Sequence, residues 1–253
     1  MVCLTTRCDT SVVADFVLVH GAGTGGWLWD DVAVRLRAAG HQVVAPSLRG
    51  VGELSADDGD DIRLSDHIDQ VVELILCERL DRIVLVGFSY GGFVVTGAAD
   101  RLGSRVARLV YLEAFVPSPG RSFFDLLPEP VRRVMQRTAD EVGGGRRIPP
   151  APVEMVGGVG TLEPGVDREH VDAVLARRGF HPIGTYTEPF PARPESPISP
   201  ALFVSCTDKP PGDPLVALAS GLRARGWPVS ELPTGHFAML TMPSALTELL
   251  TQA

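Results

Sequence analysis

The 253-residue chain contains no apolar run that approaches the roughly 20 residues a membrane-spanning helix requires. It also lacks a basic excess. The formal charge is −8, and the arginine pairs at 132–133, 146–147 and 177–178 are isolated, which argues against a nucleic-acid surface. Residues 1–9 have no apolar stretch of the kind a secretory signal needs and read as a frayed lead-in, so the cytoplasm is the expected location. Cysteine is scarce. Cys3, Cys8, Cys77 and Cys206 show neither metal-ligand nor disulfide-framework spacing. Cys77, on the apolar stripe of a helix, and Cys206, at a strand end, read as small buried hydrophobes.

With 45% apolar residues the chain can bury one substantial core, with or without an inserted subdomain. Strand-like and helix-like segments alternate. Phe16-Val17-Leu18-Val19 runs into His20-Gly21, and a helix is expected from Trp27 to the C-terminal glycine Gly40. Gln42-Val43-Val44-Ala45 is stopped by Pro46. Ser65 is placed to cap a helix whose apolar positions Ile68, Val71, Val72, Ile75, Leu76 and Leu80 follow the 3.6-residue period. Further strands are expected at 82–86, 109–112, 201–205 and 229–232, with helices after the first and third of these and a last one opening at Pro243. This order predicts an α/β fold, a doubly wound, mostly parallel sheet.

One region breaks the alternation. Residues 117–197 hold 13 of the 21 prolines and two glycine clusters, at 143–145 and 157–158. Their apolar content is too high for disorder. They are expected to form a helical cap, with a flexible loop near 143–165, over a core made of residues 1–116 and 198–253.

The chemistry concentrates at Gly87-Phe88-Ser89-Tyr90-Gly91-Gly92. A serine with glycines two residues before and two after, between a buried strand and a small-residue helix, is a nucleophile elbow. The turn strains the serine backbone, and side chains at the flanks would collide across it. Acyl transfer also needs a base, an acid to orient it and donors for an oxyanion. His236, in Pro233-Thr234-Gly235-His236-Phe237 between a short strand and the final helix, is the best placed of six histidines. His41, His67, His170 and His181 read as surface residues.

Two carboxylates compete for the acid. Asp208 follows the 201–206 strand and completes a Ser…Asp…His order, which makes it the first choice. Glu113, just past the preceding core strand, is the alternative. The oxyanion donors are expected at the backbone N–H groups of Tyr90 and Ala22, the latter in the loop His20-Gly21-Ala22-Gly23-Thr24-Gly25-Gly26. The hydroxyl of Thr24 is a candidate pocket lining, and Phe123, Phe124 and Phe190 are candidate substrate contacts from the cap.

The His-Gly-Ala at 20–22 with Trp27 and Trp29, the 87–92 elbow, the 111–117 segment and Gly235-His236 resemble the α/β-hydrolase superfamily. Within it, the chain is similar to small bacterial hydrolases related to plant methyl esterases and hydroxynitrile lyases. The resemblance covers most of the sheet and is weak across 118–196. It implies a triad with Asp208, as in the plant enzymes, or with Glu113, as in a branch that includes fungal mycotoxin lactonases. Hydroxynitrile lyases carry a lysine directly after the catalytic histidine, where this chain has Phe237. Epoxide hydrolases and haloalkane dehalogenases need aspartate where Ser89 stands.

The same glycine loop fits G-x-G-x-x-G, a dinucleotide fingerprint. The second strand, however, ends Ala45-Pro46-Ser47-Leu48-Arg49 without the ribose-binding acid, and no Tyr-x-x-x-Lys pair is present. The expected function is therefore a serine hydrolase acting on a small or medium apolar or aromatic ester or lactone. It requires no metal or organic cofactor and takes a small molecule as its partner, with a homodimer left open. The alternatives are cofactor-free lyase, C–C hydrolase or oxygenase chemistry on the same residues, or a non-catalytic ligand binder of the same fold.

Overall fold

Successive residues of the first strand face opposite ways, and both faces are apolar. In β1 (Asp15–Val19), Val17 and Val19 enter one core cluster while Phe16 and Leu18 enter another. The same split recurs in β3 (Ile83–Phe88) and β4 (Val106–Leu112). Strands buried on both sides belong in a parallel sheet covered by helices. Each fully buried Val, Leu or Phe contributes about 1.5–3 kcal/mol by leaving water.

A computed structural model describes residues 14–55, 61–191 and 201–252. Cys3, Cys8, the lead-in at 1–9 and the expected boundary at 197/198 lie outside the described residues. The sheet also contains β2 (Gln42–Val44), β7 (Ala201–Cys206) and β8 (Val229–Leu232), in the spatial order β2-β1-β3-β4-β7-β8, every neighbouring pair parallel. Helices α1 (Asp30–Ala38) and α9 (Pro243–Gln252) contribute buried residues to one face; α2 (Leu64–Cys77), α3 (Gly91–Leu102) and α7 (Pro214–Ala224) contribute to the other. The short α8 (Ala238–Thr241) leads into α9.

Two local expectations need correction. Ser65 does not cap α2. That place belongs to Arg63, whose N–H donates to Asp66, while the backbone N–H and hydroxyl of Ser65 both donate to Glu188. The buried stripe of α2 runs through Leu64, His67, Ile68, Val71 and Ile75, so Leu76 and Cys77 fall outside it and are exposed. Cys206 is buried.

Between β4 and β7 the chain forms α4 (Glu129–Val142), α5 (Arg168–Leu175), α6 (Gly184–Thr187) and a small antiparallel pair, β5 (Arg147–Ile148) with β6 (His181–Pro182). This segment reaches the loops at the carboxyl edge of the sheet. Gly179 N–H donates to Gly23 O, and the N–H groups of Gly235 and His236 donate to Val159 O and Gly158 O. Among the described residues no helix is long and apolar enough to cross a membrane.

Candidate active site

Ser89 follows β3 with φ +53°, a left-handed conformation that L-residues adopt at a cost of about 1–2 kcal/mol. The flanking glycines explain how the turn closes. A Cβ on Gly91 would stand 2.7 Å from His20 O, and one on Gly87 would stand 2.7 Å from Gly91 O. The oxyanion loop lies directly against the serine: a Cβ on Gly21 would be 3.0 Å from Ser89 Cβ. Among the described residues, no carbonyl accepts from the backbone N–H of Ala22 or Tyr90.

His236 is 4% exposed, with its ring 4.7 Å from that of Phe88. Its Nδ1 is 3.2 Å from Glu113 Oε2. A carboxylate only accepts, so Nδ1 carries the proton and Nε2 is left as the basic nitrogen. Burial lowers the His236 pKa below its ordinary value, opposed by the bond to Glu113.

Glu113, the alternative acid, therefore occupies the position expected of Asp208. It is fully buried with φ +47°, and its Oε1 accepts from Cys206 N–H at 2.6 Å. The Asp208 side chain turns away: its Oδ2 accepts from Thr161 N–H at 2.8 Å and from the Thr161 hydroxyl at 2.7 Å. The next residue, Lys209, turns inward instead. Its buried ammonium contacts Glu113 Oε2 and lies 3.3 Å from Asp213. Asp208 thus ties the intervening segment to the loop after β7, while Lys209 reaches the carboxylate.

The other expected site residues are all buried. Thr24 is 1% exposed and its hydroxyl donates to Gly21 O at 2.9 Å, so it braces the loop from within. Phe123, Phe124 and Phe190 are each 5–6% exposed and belong to the core cluster that includes Phe93 and Tyr186. Phe123 packs on Tyr90, Phe93, Phe115 and Tyr186. A cleft of about 360 Å³, lined among others by Glu154, Val159, Arg168, Asp172 and Arg178, has neither Ser89 nor His236 in its wall.

His67 and His181, expected at the surface, are buried together with His20. Their partners explain it. His67 Nε2 donates to Arg49 O, so its Nδ1 accepts from the Tyr90 hydroxyl at 3.0 Å. His181 Nδ1 accepts from Gly23 N–H, and its Nε2 donates to Thr185. His20 accepts from Leu48 N–H and donates to Gly21 O. Each ring is used in its neutral form, and burial lowers all three pKa values, those of His20 and His67 to about 4.

No motif marks Lys209 as a neighbour of Glu113, but the sequence carries one signal. It is the single lysine in the chain, every other one of the 23 basic side chains being arginine.

The fold agrees with the comparison to known proteins. A model of the alpha/beta hydrolase family matches residues 16–249. The chain belongs to this family. As an α/β-hydrolase of the esterase-related branch, it is 36% identical over 250 residues to the carbendazim hydrolyzing esterase of Nocardioides sp. (strain SG-4G), covering 94% of this chain and 98% of that one. It is also 34% identical over 123 residues to Methylesterase 18 of Arabidopsis thaliana, covering 48% of this chain and 45% of that relative. Among solved structures, an extracellular alpha/beta-hydrolase from a Paenibacillus species superposes with a TM-score of 0.74 at 23% identity, covering 95% of this chain and 98% of that one. A pyrethroid hydrolase from Sphingobium faniae JZ-2 does so at 0.68 and 24%, covering 95% and 96%. These structural likenesses concern the fold. The chain is an enzyme of the hydrolase and esterase class.

Proposed function

We propose that this α/β-hydrolase cleaves a small or medium apolar or aromatic carboxylic ester or lactone through an acyl-serine intermediate. The observation that carries the reading is the buried Glu113–His236 hydrogen bond, on the same sheet edge as a left-handed serine at a nucleophile elbow. Ser89 Oγ attacks the carbonyl carbon while His236 Nε2 takes its proton, and Glu113 steadies the resulting imidazolium. The oxyanion is bound by Ala22 and Tyr90 N–H. The C–O bond then breaks, with the proton passing from His236 to the departing alkoxide. Water, deprotonated by His236, releases the acid and restores Ser89. In a lactone the leaving alcohol stays attached to the acyl group and departs with it at this second step.

Relatives named as a carbendazim hydrolyzing esterase and a methylesterase support ester cleavage as the class. The aromatic cluster around Tyr90, Phe123 and Tyr186 supports an apolar substrate, because it borders the residue assigned to the oxyanion site. The test is turnover of a panel of p-nitrophenyl esters and aromatic lactones, with fluorophosphonate labelling. Ser89→Ala is expected to abolish both, with a loss of about 10⁴-fold or more in kcat. Labelling of the variant at the wild-type rate would remove Ser89 from the mechanism.

A further inference from the structure

Glu113 Oε2 has two cationic or potentially cationic neighbours, His236 Nδ1 and Lys209 Nζ, while Oε1 is fixed by Cys206 N–H. Behind the lysine stands Asp213, which is itself anchored as the N-cap of α7 by accepting from Leu215 N–H at 2.8 Å. The chain therefore contains an unbroken buried series, Asp213–Lys209–Glu113–His236. We propose that Lys209 and Asp213 are positioning residues of the hydrolytic site, which hold Glu113 as an oriented anion and set how firmly it supports a protonated His236. The inference rests on the triad reading and extends it to two residues that never meet substrate.

The physical case begins with desolvation. A fully buried carboxylate with no cation nearby tends to neutralise, and a neutral Glu113 would hold an imidazolium only weakly. The ammonium removes that tendency. It also draws on the same oxygen that His236 uses, so it limits the support the imidazolium receives. Asp213 partly offsets the ammonium and thereby restores some of it. The sequence choice fits the space. Nζ sits beneath Gly157, where an added Cβ would be 2.8 Å from it, so the glycine leaves the ammonium the space it fills. In a chain otherwise supplied with arginine, the single lysine stands here. The groups facing His236 and Glu113 are Lys209, Asp213 and the Cys206 thiol from the end of β7 and the loop after it. Arg178, from the loop after α5, lies over the neighbouring Phe237 ring.

Two substitutions then have opposite signs. In Lys209→Met the cation is lost. Without the ammonium beside Glu113, His236 takes its proton more readily and titrates higher. In Asp213→Asn the cap of α7 is kept by asparagine, but the lysine loses its counter-charge and pushes His236 lower. The experiment measures kcat/KM of an activated ester, and the rate of fluorophosphonate labelling, from pH 4.5 to 9 for wild type and both variants. The midpoint of the acid limb is expected to rise by about one pH unit in Lys209→Met and to fall by about half a unit in Asp213→Asn, as partly screened charges at this range allow. If Lys209→Met does not fold, Asp213→Asn decides alone: a lowered midpoint supports the proposal and an unmoved one overturns it. Midpoints that stay with wild type, or move in the same direction in both variants, also overturn it. Absence of Ser89 labelling in the wild-type enzyme would instead defeat the triad reading beneath it, so the two failures are distinguishable.

Discussion

Ser89 and Glu113 are the first residues past two adjacent strands, β3 and β4, whose last residues Phe88 and Leu112 are paired in register. Both have left-handed backbones, with φ of +53° and +47°. They are also tied together, since Ser89 N–H donates to Leu112 O and Phe115 N–H donates to Ser89 O. The positive φ redirects each side chain from the line of its strand. Two strained positions of about 1–2 kcal/mol each persist because this local network and the sheet over-determine them.

Glu113→Gln keeps the size of the side chain but removes the charge that holds the Nδ1–H tautomer. It is expected to lower kcat by about 10²–10⁴-fold, in line with the loss of an orienting acid in other triads. Asp208→Asn retains an acceptor for Thr161 and is expected to stay within about threefold of wild type. Steady-state kinetics on one ester checks both. The reverse ranking would return the acid to Asp208.

Gly91→Ala places a methyl group 2.7 Å from His20 O and 2.9 Å from Val19 O, both backbone atoms that no rotamer change can move. The expected result is a loss of about 1–3 kcal/mol in thermal unfolding together with a large fall in kcat, because the elbow and the oxyanion loop must separate. Unchanged melting and activity would show that the turn tolerates a wider spacing.

The three neutral histidines make stability depend on acid. Their folded pKa values lie below the ordinary 6.5, to about 4 for His20 and His67, so the unfolded chain binds more protons between those limits. Their contribution is complete above pH 6.5 and is lost progressively as pH falls towards 4. Protonation would also set a second ring donor against Leu48 N–H and Gly23 N–H. Melting temperature is expected to drop over this interval, and less steeply in His181→Gln. Equal slopes in the two proteins would exclude His181 as a source of the effect.

Phe123→Ala removes the ring that joins Tyr90, Phe93, Phe115 and Tyr186, and a buried large-to-small change of this kind costs about 3–5 kcal/mol. A fall in melting temperature is expected along with altered preference among acyl groups. A change in preference with unaltered melting would make the ring a pocket wall and not part of the core.

The alternation of apolar strands, the glycine-flanked serine and the glycine-preceded histidine could all be read in the linear chain, because each depends on residues within a few positions of one another. Phe16 to Val19 and Ile83 to Val86 announce buried strands by composition alone, and Gly87 and Gly91 mark a turn too tight for side chains. Which of Asp208 and Glu113 meets His236 was not a local matter. Both end neighbouring strands on one edge, and the outcome rests on a left-handed backbone at Glu113 and on Thr161, 47 residues from Asp208, capturing the other carboxylate. His67 and His181 read as surface residues for the same reason. A polar side chain is buried only when partners satisfy it, and Arg49, Tyr90, Gly23 and Thr185 become partners only in the folded chain. Local sequence thus determined the strands, the elbow and the loop that carries His236, whereas tertiary structure decided which charges meet, because desolvation and hydrogen-bond satisfaction depend on neighbours distant in sequence.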